Sequence, residues 1–159
     1  MTDLKNEFWD RIEDVRTAML GVKGQGRLVA MSPRVDDDMP GHVWFITAKG
    51  TDLAKATANG PCDARLVVSS DSEGLYADVD GKLTHSTDRE ALDETWSFVA
   101  DAWFEGGKAD PDVHLLRFTP RQAEVSVTAT NSLNFFYEMA KAKLADEKPN
   151  LGAQGLVTF

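Results

Sequence analysis

Thr47, Lys49 and Thr51 stand at every second position of the stretch WFITAKGTDLAKATANG, residues 44–60. Two hydroxyls and an ammonium on a short turn are groups that bind phosphate, by hydrogen bonds and by charge. The stretch reads as an apolar strand, a polar turn and a helix over 51–59 that stops at Asn59-Gly60. Such a junction aims the unpaired first N–H groups of the helix at whatever lies before it. Asp52 opposes that use, because a carboxylate at the helix start repels phosphate. The alternative is a capped helix, in which Thr51 or Asp52 accepts from those N–H groups and no ligand is needed. These residues leave both readings open.

Other chemistry finds little support. His42, His85 and His114 are far apart in sequence, and no two have helical metal-ligand spacing. There is no Gly-x-Ser-x-Gly elbow and no Walker loop. Gly24-Gln25-Gly26 lacks the third glycine of a dinucleotide fingerprint and precedes an apolar strand, not a helix. Asp36, Asp37 and Asp38 are adjacent, without the alternation of a calcium loop, and read as a solvated loop. The one cysteine, Cys62, excludes an intrachain disulfide and reads as a packing residue. No self-sufficient catalytic set emerges, so no residue is expected to be catalytic. What remains is a binding pattern: Trp44, Phe45, Trp96, Trp103 and Phe104 are large flat surfaces that either fill a core or cover a planar ligand. Trp96 is expected in the core; for Trp103, beside the Glu105-Gly106-Gly107 turn, both readings stand.

The chain of 159 residues fits a single domain, 1–159, and its 42% apolar content supplies a core. No run is long enough to span a bilayer, and the acidic, periodic N-terminus is unlike a signal peptide, so a cytoplasmic location is expected. With a net charge of −9 and no run of basic residues, nucleic acid is not an expected partner.

The elements that must position these residues follow from periodicity. Leu4, Phe8, Ile12, Val15 and Met19 share one helical stripe, with Gly21 as its stop. AMLGVKGQGRLVAM reads as two strands around a glycine turn. HVWFIT, ARLVVSS and GLYADVDGKLTHS read as further strands, the last with Leu75, Ala77 and Val79 on one face. Thr87 with Glu90 forms a capping box for a helix carrying Leu92, Trp96, Val99 and Trp103. VHLLRFTPRQAEVSVT is a long strand kinked near Pro120, and SLNFFYEMAKAKLA is a last helix with Leu133, Phe136, Tyr137, Ala140 and Leu144 on one face. The tail, NLGAQGLVTF, reads as a final short strand. Strands joined by tight turns predict an antiparallel, mainly β architecture with flanking helices, α+β in class.

The segments FWDRIEDVRTAML, VWFIT, AWFEGG, DPDVHLLRFTP, MAKAKL and KPNLGAQGLVTF, in this order, resemble the general stress protein 26 branch of the pyridoxamine 5′-phosphate oxidase-like split barrels. The resemblance runs from about Phe8 to Phe159. It implies a six-stranded antiparallel split β-barrel, a homodimer, and FMN in the cleft between subunits, with a flavin-dependent oxidoreductase as the activity such a cofactor would serve. Carried over residue by residue, it implies Thr47, Lys49 and Thr51 at the phosphate, with Val29, Ala30 and Met31 beside the ribityl chain or ring. Trp103 would come from the partner subunit. Relatives carry an arginine where Met31 stands and a lysine where Leu53 stands; Arg34 lies three residues beyond the first of these positions. A lost charge-assisted hydrogen bond, about 1.5–3 kcal/mol, weakens binding roughly tenfold to a hundredfold. The alternative is a split-barrel dimer that has lost FMN and takes another ligand or acts as a binding module.

Overall fold

In the computed structural model, which describes residues 3–129, 132–146 and 152–159, seven strands form one antiparallel sheet. They are β1 (Ala18–Val22), β2 (Val29–Met31), β3 (Val43–Ala48), β4 (Cys62–Ser70), β5 (Leu75–Ser86), β6 (Val113–Thr128) and β7 (Gly152–Thr158). Six run in the order β2-β1-β4-β5-β6-β3 and curl into a nearly closed barrel; β7 pairs with β6 off this path. β3 takes Val113–Phe118 of β6 and β7 takes Gln122–Thr128, so the two share one edge. The barrel stays open at a seam between β2 and β3, crossed by a single bridge from Arg34 to Trp44. This is the split barrel with flanking helices that the sequence predicts.

Two irregularities let the sheet curl. Gly24 and Gly26 adopt φ of 80° and 70° in the turn from β1 to β2, a conformation that favours glycine. In β6, Gln122 faces Asp80 while Pro120 faces Gly81, so Arg121 is an extra residue in a bulge. Pro120, with no N–H to donate, sits at that break in the ladder as expected.

Among the described residues five α-helices accompany the barrel: α1 (Leu4–Ile12), α2 (Asp52–Ala56), α3 (Arg89–Thr95), α4 (Phe98–Trp103) and α5 (Ser132–Ala145). Asp3 caps α1, accepting from the N–H groups of Lys5 and Asn6. Phe8 and Ile12 bury completely, and Phe8 packs edge-on against Trp9 and Phe159 at 5.1 Å, tying α1 to the end of β7. The helix stops at Ile12, earlier than the stripe predicts. Val15 is buried in the connection, while Met19 and Gly21 belong to β1, with Met19 exposed. The single helix predicted after Thr87 is two. Asp88, not Thr87, caps α3; Trp96 turns extended, and Ser97 caps α4 by accepting from Ala100 N–H.

The barrel core is built from alternate strand residues such as Leu20, Phe45, Leu66, Val79 and Leu116, all fully buried. A smaller cluster, Trp44 with Ala91, Leu92 and Leu115, docks α3 on β3 and β6. Phe136, Tyr137 and Leu144 of α5 are exposed, and the side chain of Leu133 lies outside the described residues.

Candidate functional site

The seam opens into a cleft of about 460 Å³ and an adjoining lobe of about 250 Å³; Ala30, Met31, Thr47 and Thr51 line both. β2 supplies one wall and β3 the other, because these are the two strands the open barrel leaves as edges. Trp44 exchanges both backbone hydrogen bonds with Arg34, at 2.9 and 2.7 Å. By strand alternation, Ile46 turns its own N–H and C=O toward the same seam. α4 closes the far side with Val99 and Trp103, the latter 80% exposed.

Thr51 caps α2, which settles the capping alternative in its favour over Asp52. Its hydroxyl donates to Ala48 C=O at 3.0 Å and accepts from Ala54 N–H at 3.3 Å. With that proton committed, the 3.1 Å contact between the Thr47 and Thr51 hydroxyls has Thr47 as donor. Both protons are therefore spent inside the protein, and the pair faces the cleft through oxygen lone pairs. An anion must draw its donors from elsewhere or break the bond to Ala48.

Arg34 is such a donor. It lines the main cleft together with Met31, brought there by the bridge that folds residues 32–34 across to β3. Arg27 lines the lobe, as do Asp52 and Leu53. Lys49 lies elsewhere: it lines a separate cavity that α2 borders through Ala54 and Lys55, and its backbone N–H bonds Asp112 C=O at 2.9 Å. Of the sequence-predicted residues, the structure thus brings Val29, Ala30, Met31, Thr47, Thr51 and Trp103 to the cleft and its lobe, and places Lys49 outside them. Trp103 reaches the cleft within its own chain. Arg27, Ile46 and Val99 carry no site signal in the sequence, where Val99 reads only as one face of a helix; strand order brings them to the cleft and its lobe.

Among the described residues lining the cleft and lobe there is no histidine, cysteine or glutamate, and Asp52 is the one acid. No group of three or more His, Cys, Asp or Glu among the described residues is placed to hold a metal. The arrangement suits binding: apolar walls from Met31, Ile46 and Trp103, with guanidinium groups at Arg27 and Arg34. Its shape and lining are compatible with a ligand that has a flat apolar body and an anionic tail.

An antiparallel split barrel with a ligand-sized cleft at its seam defines a class of small-ligand proteins, and the comparisons name it. The profile of the family described as pyridoxamine 5′-phosphate oxidase like matches residues 3–150, and the chain belongs to that family. A protein assigned as general stress protein 26 from Jannaschia sp. CCS1 is 66% identical, with a TM-score of 0.94 over 99% of this chain and 98% of that one. The general stress FMN/FAD binding protein of Xanthomonas citri is 32% identical, with a TM-score of 0.69 over 78% of this chain and 88% of that one. A general stress family protein of Xanthomonas campestris pv. campestris is 31% identical, with a TM-score of 0.70 over 82% and 93%. No curated protein matches the chain by sequence. Among the described residues no helix is long and apolar enough to cross a membrane.

Proposed function

We propose that this chain is a flavin-binding protein of the general stress type, holding FMN in the seam cleft as a homodimer and serving an FMN-dependent oxidoreduction. The observation that carries the reading is Arg34: it restores, in the same cleft, the cation that Met31 lacks. The residues present fit the cofactor. The main cleft lies within the roughly 300–1,000 Å³ of small-ligand pockets. Its apolar walls suit a ring system, and the guanidinium groups of Arg34 in the cleft and Arg27 in the adjoining lobe suit a phosphate. The likeness to the Xanthomonas citri FMN/FAD binding protein supports the same assignment.

Bound flavin supplies the electron-transfer chemistry. The chain's own residues bind and orient it. Arg34 meets the phosphate with charge, Thr51 contributes its hydroxyl by releasing Ala48 C=O, and Ala30 and Met31 form the wall beside the ligand. Trp103, largely exposed in one chain, covers the cleft or reaches into that of a second copy.

Titration of purified protein with FMN, read by flavin fluorescence and thermal stability, tests this. Binding to the native state alone adds about 2.7 kcal/mol at a hundredfold excess over Kd. Quenching with a raised Tm at micromolar FMN is the expected outcome. Asp52 in the lobe favours the second reading, a barrel that has lost FMN; unquenched fluorescence and an unmoved Tm at high FMN would establish it.

A further inference from the structure

A cavity of about 650 Å³, larger than the seam cleft, opens between α2, the end of β5 and the starts of α3 and β6. Lys49, Lys55, Arg89 and Lys108 line it. Two carboxylates also line it, and both are engaged. Asp88 accepts from Ala91 N–H at 3.1 Å, and Asp110 accepts from the N–H groups of Gly106 and Asp112 at 3.0 and 2.9 Å. Lys108 reaches Asp93 at 3.3 Å, but Lys49, Lys55 and Arg89 form no ion pair with a described residue. In a chain of net charge −9, four cations against two carboxylates in the lining make a local excess of positive charge.

The wall of this cavity is unusual too. His85 and His114 stack with ring centroids 3.8 Å apart and planes 14° from parallel. His114 is 8% exposed, and its Nε2 is buried without a hydrogen-bond partner. Burial, then His85 and Lys49 beside it, holds the His114 pKa below the ordinary histidine value. The ring is therefore neutral at pH 7 and retains an unused hydrogen-bonding nitrogen. Cations from four positions along the chain outnumber the carboxylates around one hollow, and Lys49, Lys55 and Arg89 have no ion-pair partner among the described residues, which fits an external anion with several oxygens.

We infer that this cavity is a second binding site, for a phosphate-bearing small molecule, in which Lys49, Lys55 and Arg89 supply the charge and the stacked His85–His114 pair forms the wall. It is distinct from the seam cleft: Arg34 lines only the cleft and Arg89 only this cavity.

The chain has three histidines, so imidazole NMR reads the site directly. His42, hydrogen-bonded through Nδ1 to Thr119 at 3.0 Å and outside the cavity, serves as the internal control. Inorganic pyrophosphate is the probe, added at constant ionic strength without FMN. The expected result is a saturable shift of His85 and His114 with His42 unmoved. The double variant Lys55→Ala/Arg89→Ala, which alters exposed side chains, should weaken the apparent affinity at least about tenfold, or 1.4 kcal/mol. Its unchanged thermal unfolding would confirm that it folds. Arg34→Ala should leave the titration unaltered. The inference is overturned by no saturable shift up to about 10 mM pyrophosphate, a Kd too weak to matter. It is equally overturned by parallel movement of all three histidines, or by a response that survives the double variant and disappears with Arg34→Ala. Because FMN is absent throughout, none of these outcomes depends on whether the seam cleft holds flavin.

Discussion

Arg34 and Met31 line the same cleft although three positions separate them, and this makes Arg34 the sharpest single-residue test of the proposed flavin site. Its backbone bridge to Trp44 does not need the side chain, so Arg34→Ala should fold normally. It should weaken FMN binding about tenfold to a hundredfold, the worth of one charge-assisted hydrogen bond. Thr51→Ala should behave differently. It removes a helix cap, so it should cost about 0.5–2 kcal/mol of stability without any ligand present, measured by urea unfolding. Thr51→Ser, which keeps the hydroxyl, should restore most of it. An Arg34→Ala protein that binds FMN with unchanged affinity would remove the guanidinium from the site. Histidine titration supplies a second residue-scale expectation. Burial holds both His42 and His114 below the ordinary value of 6.5, with Arg117 adding to the effect at His42 and His85 and Lys49 at His114. Below about pH 6.5 the unfolded chain therefore takes up protons before the native fold does. Stability should be fully present above that pH and should fall as the pH drops toward the lowered native values. Thermal scans from about pH 7.5 to pH 5.5 should show the decline, and His114→Gln should flatten it.

At the scale of elements, β5 pairs with β6 from Leu75 to Ser86, and Gly81 sits in a crowded place within that pairing. A Cβ there would collide with the Thr119 carbonyl oxygen and lie 2.7 Å from the Phe118 ring. Gly81→Ala should therefore destabilise by about 1–3 kcal/mol through overpacking, read as a lower urea midpoint with little change in m. This crowding is invisible in the sequence, where Gly81 sits in an ordinary alternating strand. What was legible depended on local rules. Leu75, Ala77 and Val79 alternate because one face of β5 is buried; Gly24 and Gly26 mark a turn that needs positive φ; the break at Pro120 follows from its missing N–H. Local rules also explain the overreach. Val15 and Met19 extend the helical stripe of Leu4, Phe8 and Ile12 by coincidence of spacing, whereas β1 is held by pairing with β2 and β4, which no stripe encodes. The helix after Thr87 splits because Ser97 caps a helix of its own. The seam cleft lay furthest from view. Arg34 reaches it through a bridge to Trp44, and Lys49, next in line after the Thr47 strand, ends at a different cavity.

For the molecule as a whole, the decisive property is whether one chain completes the site. Val29, Val99 and Trp103 are exposed apolar side chains on the rim of the cleft and its lobe, and burying them in a second copy would remove their cost in water. A homodimer that closes over the seam ties flavin affinity to protein concentration, because ligand and partner then favour the same state. Sedimentation at micromolar protein should give twice the 17.5 kDa chain mass, and dilution through the dimer midpoint should weaken FMN binding. Trp103→Ala should weaken association and FMN binding together. Salt separates the two contributions by sign. Copies each carrying −9 repel, so raising ionic strength toward about 0.15 M, where the Debye length is about 8 Å, should tighten the dimer. The same salt should loosen the proposed contact between Arg34 and a flavin phosphate once the protein is held fully dimeric. An FMN affinity that stays constant across the dilution that splits the dimer would show instead that the cleft is complete in one chain, with Trp103 acting on the ligand of its own subunit.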